Sequence, residues 1–477
     1  MGTELILIIL VLMVGFYMAW NIGANDVSNA MGTSVGSGAL TLTKAICIAA
    51  VLEFLGAFTL GGNVSKTLQD GLINLSYFEA APSSLLIGMF SALLATSIWL
   101  QIASYFGWPV STTHAIVGAI LGFGSVVGGI DAVKWGEVGA IALSWVISPA
   151  LSALFSYIIF SILQKKILYA MNPILATRRL LPILFGVVCC TFTISVLLGG
   201  LHNLKITLNL SQSIGISLLV GLLVFGIALF FVRRIKIPAE FAFEHKHNFV
   251  QQIFSLNKSL KHLQRAKLVA EGDAKNEITS ILNNVQALTH TLGEKSCQYK
   301  KQSEYHFVEK MFSLLQILSA CYVAFAHGAN DVANAIGPVA AALNVIKYKS
   351  VYAMSAHGIP TWLLALGGAG IVIGLATWGW RVIQTIGKKI TELTPTRGFS
   401  AEFGAAVTIL VASKLGLPIS TTHCIVGSVL GVGLAKGISA LNLRTLRDIA
   451  LSWIITLPSG AILCIILYYL IKAIVGL

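Results

Sequence analysis

Six stretches of this chain are apolar runs in which the only charged residue is Glu4: Glu4–Ala19, Leu85–Ile102, Gly139–Leu163, Leu181–Gly200, Ile214–Val232 and Ile449–Ile471. About 20 such residues carry a helix across a bilayer. The runs are continuous rather than alternating in polarity, which excludes a membrane β-barrel. Composition closes the soluble alternative. Of 477 residues, 56% are hydrophobic and 11% charged, with a mean hydropathy of +0.83, whereas an average soluble domain carries roughly 25% charged residues. The expected fold class is an all-α polytopic membrane protein, multi-pass in the cell (inner) membrane. The start, MGTELILIIL, lacks the basic region of a signal peptide and reads as a retained first span.

Three signals occur twice, in the same order. GANDVSNA (Gly23–Ala30) returns as GANDVANA (Gly328–Ala335). PVSTTHAIVGAILG (Pro109–Gly122) returns as PISTTHCIVGSVLG (Pro418–Gly431). ALSWVISP (Ala142–Pro149) returns as ALSWIITLP (Ala450–Pro458). Such spacing marks two copies of one unit. The expected organisation is a first membrane repeat over 1–163, two connecting spans over 164–232, a polar segment over 233–310 and a second repeat over 311–477. The polar segment shows helical spacing at Ile253, Leu256, Leu260 and Leu263, then at Ile281, Val285, Leu288 and Leu292. That predicts two amphipathic helices outside the membrane, broken near Glu271–Ala274.

The net charge of +13 follows from the positive-inside bias of membrane proteins, and no nucleic-acid motif accompanies it. Lys165, Lys166, Arg178 and Arg179 flank one side of the two connecting spans. Arg233, Arg234, Lys236, Lys300, Lys301 and Lys310 flank the polar segment, while the loop near Leu201–Gln212 holds only Lys205. Both basic regions therefore face the cytoplasm. The first repeat then ends inside and the second begins inside. With an odd number of crossings per repeat, the two copies are inverted. Lys388, Lys389 and Arg397 fit a cytoplasmic loop of the second copy; Asp70 and Glu79 stand in the corresponding, outer stretch of the first. Lys347 and Lys349 fit this scheme badly. The seven cysteines form no CxxC pair and read as small packing residues.

The repeated polar motifs carry the chemistry. In a helix, Asn25 and Asn29 share a face with Asp26 beside them, and Asn330, Asp331 and Asn334 repeat the arrangement. An intramembrane carboxylate costs about 2.5–3.5 kcal/mol on insertion scales and needs a partner or a polar site. Carboxylate and amide oxygens are hard ligands suited to Na⁺, H⁺ or another small cation; interhelical hydrogen bonding is the simpler alternative. The glycines of the motif permit a bend or unwinding that would free further carbonyls.

In the second motif, proline ends the preceding helix. Ser111, Thr112 and Thr113, and in the second copy Ser420, Thr421 and Thr422, are N-cap residues opening an apolar helix. Free N–H groups and hydroxyls there make an anion site without a basic side chain. Two such starts, converging near the midplane, suit a tetrahedral oxyanion.

His114 and His423 follow the threonine pairs and are candidates to touch substrate, shuttle protons or bond a neighbouring helix. His327 has no counterpart in the first copy, where Ile22 stands. Glu53 and Glu402 lie in apolar stretches, are not repeat partners, and are candidate cation ligands. The pairs Ser144–Trp145 and Ser452–Trp453 read as helix-packing residues.

These duplicated motifs, GANDVSNA with GANDVANA and PVSTTH with PISTTH, resemble the signature of the inorganic phosphate transporter (PiT) family. The resemblance covers both repeats but leaves 233–310 without a role. It implies symport of inorganic phosphate with Na⁺ or H⁺, no cofactor, an inverted-repeat fold with half-helices meeting at a midplane site, and a homodimer. By this resemblance Ser111, Thr112, Thr113, Ser420, Thr421 and Thr422, with Asn25 and Asn330, hold phosphate. Asp26, Asp331, Asn29 and Asn334 hold the coupling cation, Na⁺ being suited to Asp26 and Asp331. Two rival classes are a carrier of another oxyanion such as sulfate and a membrane-embedded hydrolase. The second lacks a GxSxG elbow or an HExxH motif.

Overall fold

The computed structural model describes residues 2–108, 110–199, 208–236, 249–299, 304–351, 358–380, 394–437 and 443–475. Outside them lie Pro109, Lys205, Lys300, Lys301, Lys388 and Lys389, together with the side chains of Ser28, Asn29, Ile253, Leu292, Ser452 and Trp453. Every long element among the described residues is helical.

The first five helices are α1 (Gly2–Gly36), α2 (Leu42–Leu60), α3 (Pro82–Phe106), α4 (Thr112–Phe123) and α5 (Trp135–Leu163). Two long helices follow, α6 (Pro173–Gly199) and α7 (Leu210–Arg234), and then a polar pair, α8 (Phe249–Val269) and α9 (Gly272–Tyr299). The last five repeat the order of the first: α10 (Glu304–Tyr348), α11 (Thr361–Trp378), α12 (Pro395–Lys414), α13 (Thr421–Lys436) and α14 (Leu443–Val475). Among the described residues, nine helices are long and apolar enough to cross a membrane: α1, α2, α3, α5, α6, α7, α10, α11 and α14. α4, at 12 residues, is about 18 Å long at 1.5 Å per residue, short of a hydrocarbon core of about 30 Å.

α10 is the buried spine. Its middle, AFAHGANDVANAIGPVAAA, is rich in small side chains and is buried on every face. α1, α2, α3 and α12 pack around it. α1 and α10 run antiparallel. At one end Ser37, just past α1, donates to Gln316 Oε1 at 2.6 Å; at the other, Lys349 pairs with Glu4 at 3.3 Å. Lys349, awkward for the charge bias, thus has an acidic partner on the rim where α1 begins.

Both Asp-Asn motifs sit inside continuous helices, so the expected bend or unwinding does not occur. The motif glycines serve close approach instead. A Cβ at Gly23 would overlap the carbonyl oxygen of Ile371 on α11, and one at Gly328 that of Glu53 on α2. The glycines of the second motif act likewise: Gly118 faces the Leu457 backbone of α14, and Gly427 the Pro149 backbone of α5. Small residues let helix backbones touch where lipid offers no hydrophobic driving force. Each half-helix is therefore packed against the long helix of the other repeat.

α8 and α9 form an amphipathic hairpin broken between Val269 and Gly272, whose φ of 62 is a glycine conformation. Phe254 on α8 stacks on Tyr169, beyond α5, with ring centroids 3.7 Å apart, and so ties the hairpin to the membrane-spanning bundle.

Candidate substrate and cation site

Each half-helix starts in the same way. Gly107 (φ 68) and Gly416 (φ 70) turn the chain out of α3 and α12. Ser111 then caps α4 by accepting from the His114 N–H at 3.2 Å, and Ser420 caps α13 by accepting from the His423 N–H at 3.3 Å. The two starts face each other. Thr113 donates to the Ile419 carbonyl at 2.9 Å, and Thr422 to the Val110 carbonyl at 3.4 Å. All six hydroxyl residues are buried.

The three hydroxyls of each tip therefore do different things. The serine is spent on the cap. The last threonine reaches across to the opposite tip. The middle threonine meets the acidic motif: Thr421 donates to Asp331 Oδ2 at 2.8 Å, and Thr112 faces Asp26. The asparagines hold the turns in place. Asn25 donates to Ser104 Oγ at 2.9 Å and to the Trp108 carbonyl at 3.4 Å. Asn330 makes the matching bonds to Ser413 Oγ at 3.0 Å and the Leu417 carbonyl at 3.3 Å. Asn334 crosses to the first tip, donating to Thr112 and Thr113 at 3.1 and 3.2 Å. α1 carries Asn29 in helical register with Asn25.

Asp26, His327 and Asp331 bring their ligand atoms within 4.8 Å of one another, fully buried. His327 lies 3.0 Å from Asp331 Oδ2 and 3.2 Å from Glu53 Oε1. Glu53 thus joins the cluster through His327, the imidazole without a counterpart in the first repeat. The other half has apolar residues at the matching places: Ile22 stands for His327 and, across the equivalent helix contact, Ile371 for Glu53. Glu402 is not part of this cluster. Its Oε1 accepts from Thr33 (2.6 Å), Ser34 (2.7 Å) and Gln316 (3.2 Å), and its Oε2 from Ser319 (2.5 Å).

The donor and acceptor balance of the cluster is lopsided. Oδ1 of Asp331 and the side-chain oxygens of Asn330 and Asn334 are buried without a donor among the described residues, and Asp26 has the Thr112 hydroxyl beside it. Buried acceptors without donors are costly, and this group lies beside the hydroxyl-tipped helix starts.

Behind the tips, the His114 and His423 rings meet edge to face at 4.5 Å, and His114 lies 4.0 Å from the Trp145 ring. The His423 ring bonds the Trp145 backbone carbonyl, on the neighbouring helix α5. Trp145 Nε1 donates to the Pro418 carbonyl at 2.9 Å. Trp145 therefore does more than pack: from the first repeat it holds the second repeat's tip at two points. Trp145→Phe keeps the ring but loses the donor, worth about 1 kcal/mol. The expected result is a KM for substrate raised about five-fold with little change in maximal rate, measured by uptake into vesicles.

Membrane-crossing helices around two apposed half-helix starts and a buried carboxylate cluster define a polytopic membrane transporter. Comparison with known proteins makes this more specific. The chain belongs to the phosphate transporter family, whose sequence profile matches residues 22–464, and it is thus a transporter rather than an enzyme. It is 44% identical over 467 residues to a candidate phosphate permease of Chlamydia pneumoniae, covering 98% of this chain and 99% of that one. It is also 44% identical to the chloroplastic inorganic phosphate transporter 2-1 of Arabidopsis thaliana, over 95% of this chain and 70% of that one. A solved structure described as the sodium-dependent phosphate transporter is similar over 98% of this chain and 99% of that one, with TM-score 0.78 and 36% identity.

Proposed function

We propose that this chain imports inorganic phosphate together with Na⁺, by alternating access around the two apposed tips. The observation that carries the reading is the set of donor-poor buried oxygens on Asp26, Asp331, Asn330 and Asn334 directly beside the Thr112 and Thr421 hydroxyls. A cation bound there supplies the positive charge that the motifs lack. Phosphate then binds well only after the cation, and transport is coupled. A fixed arginine or lysine in the same place would hold phosphate without the cation. Na⁺ is preferred over H⁺ because the structurally similar transporter is described as sodium-dependent.

The antiparallel course of α1 and α10 and the reciprocal packing of α4 on α14 and α13 on α5 support an inverted pair of repeats over 1–163 and 311–477. The spans 164–232 then connect them, and 233–310 forms a cytoplasmic helical segment. Rocking of one repeat against the other would open the tips alternately to each side. Carrying a phosphate dianion inward against 100 mV costs about 4.6 kcal/mol, at about 2.3 kcal/mol per charge, which accompanying cations offset. A homodimer belongs to the same reading and is checked by particle mass in detergent.

Uptake of labelled phosphate into proteoliposomes, with Na⁺ and pH gradients imposed separately, tests this. A Na⁺ gradient should drive accumulation, and sulfate should compete poorly. Equal accumulation under a pH gradient alone would overturn Na⁺ coupling. Full competition by sulfate would favour a general oxyanion carrier.

A further inference from the structure

α8 carries Lys258, Lys261, Arg265 and Lys267 and no aspartate or glutamate. Among the described residues no carboxylate lies within ion-pairing distance of any of them. Successive residues of a helix are turned by about 100°, so its side chains sort into faces. Leu256, Leu260 and Leu263 share one face and are half-buried, and α9 packs along the helix. Phe254, Lys258, Lys261 and Arg265 fall within about 60° of arc on the opposite face. The three basic side chains there are exposed. Leu268 and Val269 flank the same arc at the end of the helix and are 87% and 84% exposed.

Phe254 shows where this basic face meets the rest of the protein. It stacks on Tyr169, which follows Lys165 and Lys166 where the chain leaves α5. The basic face is thus the one turned to the end of the membrane-spanning bundle. Beyond Phe254 the helix runs about 22 Å to Val269, at 1.5 Å per residue, which is more than the width of one helix. A merely solvated face would mix its charges, as α9 does with Asp273, Lys275 and Glu277. The row on α8 has one sign and ends in two bare aliphatic side chains.

We propose that this face of α8 rests on anionic phospholipid headgroups of the cytoplasmic leaflet of the chain's own bilayer, with Leu268 and Val269 dipping among them. The proposal rests on the cytoplasmic placement of 233–310 given above and not on which ion is carried. Basic residues on an amphipathic helix beside a membrane are drawn to anionic lipid, about five-fold in association for each one near the surface. The usual apolar face of such a helix is taken up by α9, so the attachment is electrostatic along the row and apolar only at its tip.

The test is limited trypsin digestion of the full chain in nanodiscs of phosphatidylcholine alone or with phosphatidylglycerol added, each at low and high salt, with the cuts mapped by mass spectrometry. Cleavage after Lys258, Lys261 and Arg265 should be about ten-fold slower in the anionic discs at low salt, and the difference should vanish at high salt. Cleavage after Lys275, exposed on α9, is the internal reference. Lys258→Gln combined with Arg265→Gln leaves Lys261 as reporter, and its cleavage should then be nearly independent of lipid. Equal cleavage in both discs for the unaltered chain overturns the proposal; it is also the result expected if an acidic cytoplasmic protein is the true occupant. Protection of Lys261 that survives the double substitution would have a cause other than the basic face and overturn it too. The placement is read separately, by trypsin added outside intact spheroplasts. Cleavage after Lys275 there would put the hairpin outside the cell and overturn the cytoplasmic leaflet, whatever the discs show.

Discussion

Asp331→Asn should lose Na⁺-driven phosphate uptake by about 100-fold or more, while folding as the unaltered protein does. Thr421 donates to Asp331 Oδ2, and an amide oxygen can still accept that bond, though more weakly. What disappears is the negative charge facing His327 at 3.0 Å and forming, with Asp26, the centre of the cation cluster. Losing the charge that faces a buried bound cation costs about 3 kcal/mol or more of its binding, which is more than a factor of 100. Asp26→Asn should behave alike. Uptake as a function of Na⁺, measured beside the melting temperature of each purified variant, checks both. Full Na⁺-dependent uptake in either variant would remove the cation cluster from the mechanism.

Gly328→Ala should cost the folded protein itself. Its Cβ would lie inside the carbonyl group of Glu53, so α10 and α2 must separate by a large fraction of an ångström. Overpacking of this kind costs about 1–3 kcal/mol, and here it also pulls Glu53 away from His327. Gly23→Ala strikes the Ile371 backbone in the same manner. Gly136→Ala, with no heavy atom within 4 Å of the added carbon, is the matched control. Monodisperse yield and thermal stability in detergent should fall for the first two and hold for the third. Wild-type stability of Gly328→Ala would mean that α2 and α10 are not in backbone contact.

The half-helix starts were legible in the sequence because capping is local: Ser111 and Ser420 satisfy the N–H three residues on, and any helix entered by S-T-T-H has the same need. The repeat order was legible because each motif is long. The division of labour among the hydroxyls was not. It depends on contacts such as Thr113 with Ile419, some 306 residues apart, which no local pattern encodes. The glycines of the Asp-Asn motif misled for a physical reason: glycine permits both unwinding and close packing, and only the neighbouring helix decides which. Glu53 and His327 escaped pairing because each is unrepeated. Trp145 looked like a packing residue because its donor finds its acceptor, the Pro418 carbonyl, in the other repeat.

The Glu53–His327 contact has a consequence for ancestry. One partner comes from each half, and the equivalent positions hold Ile371 and Ile22. A dimer of two first halves would bury each glutamate against isoleucine; a dimer of two second halves would strand two imidazoles in the same way. Neither half can now substitute for its sibling without a repair at this contact. The fused duplicates have become obligate complements, and separating them into interchangeable subunits would reverse a step that the bilayer makes expensive.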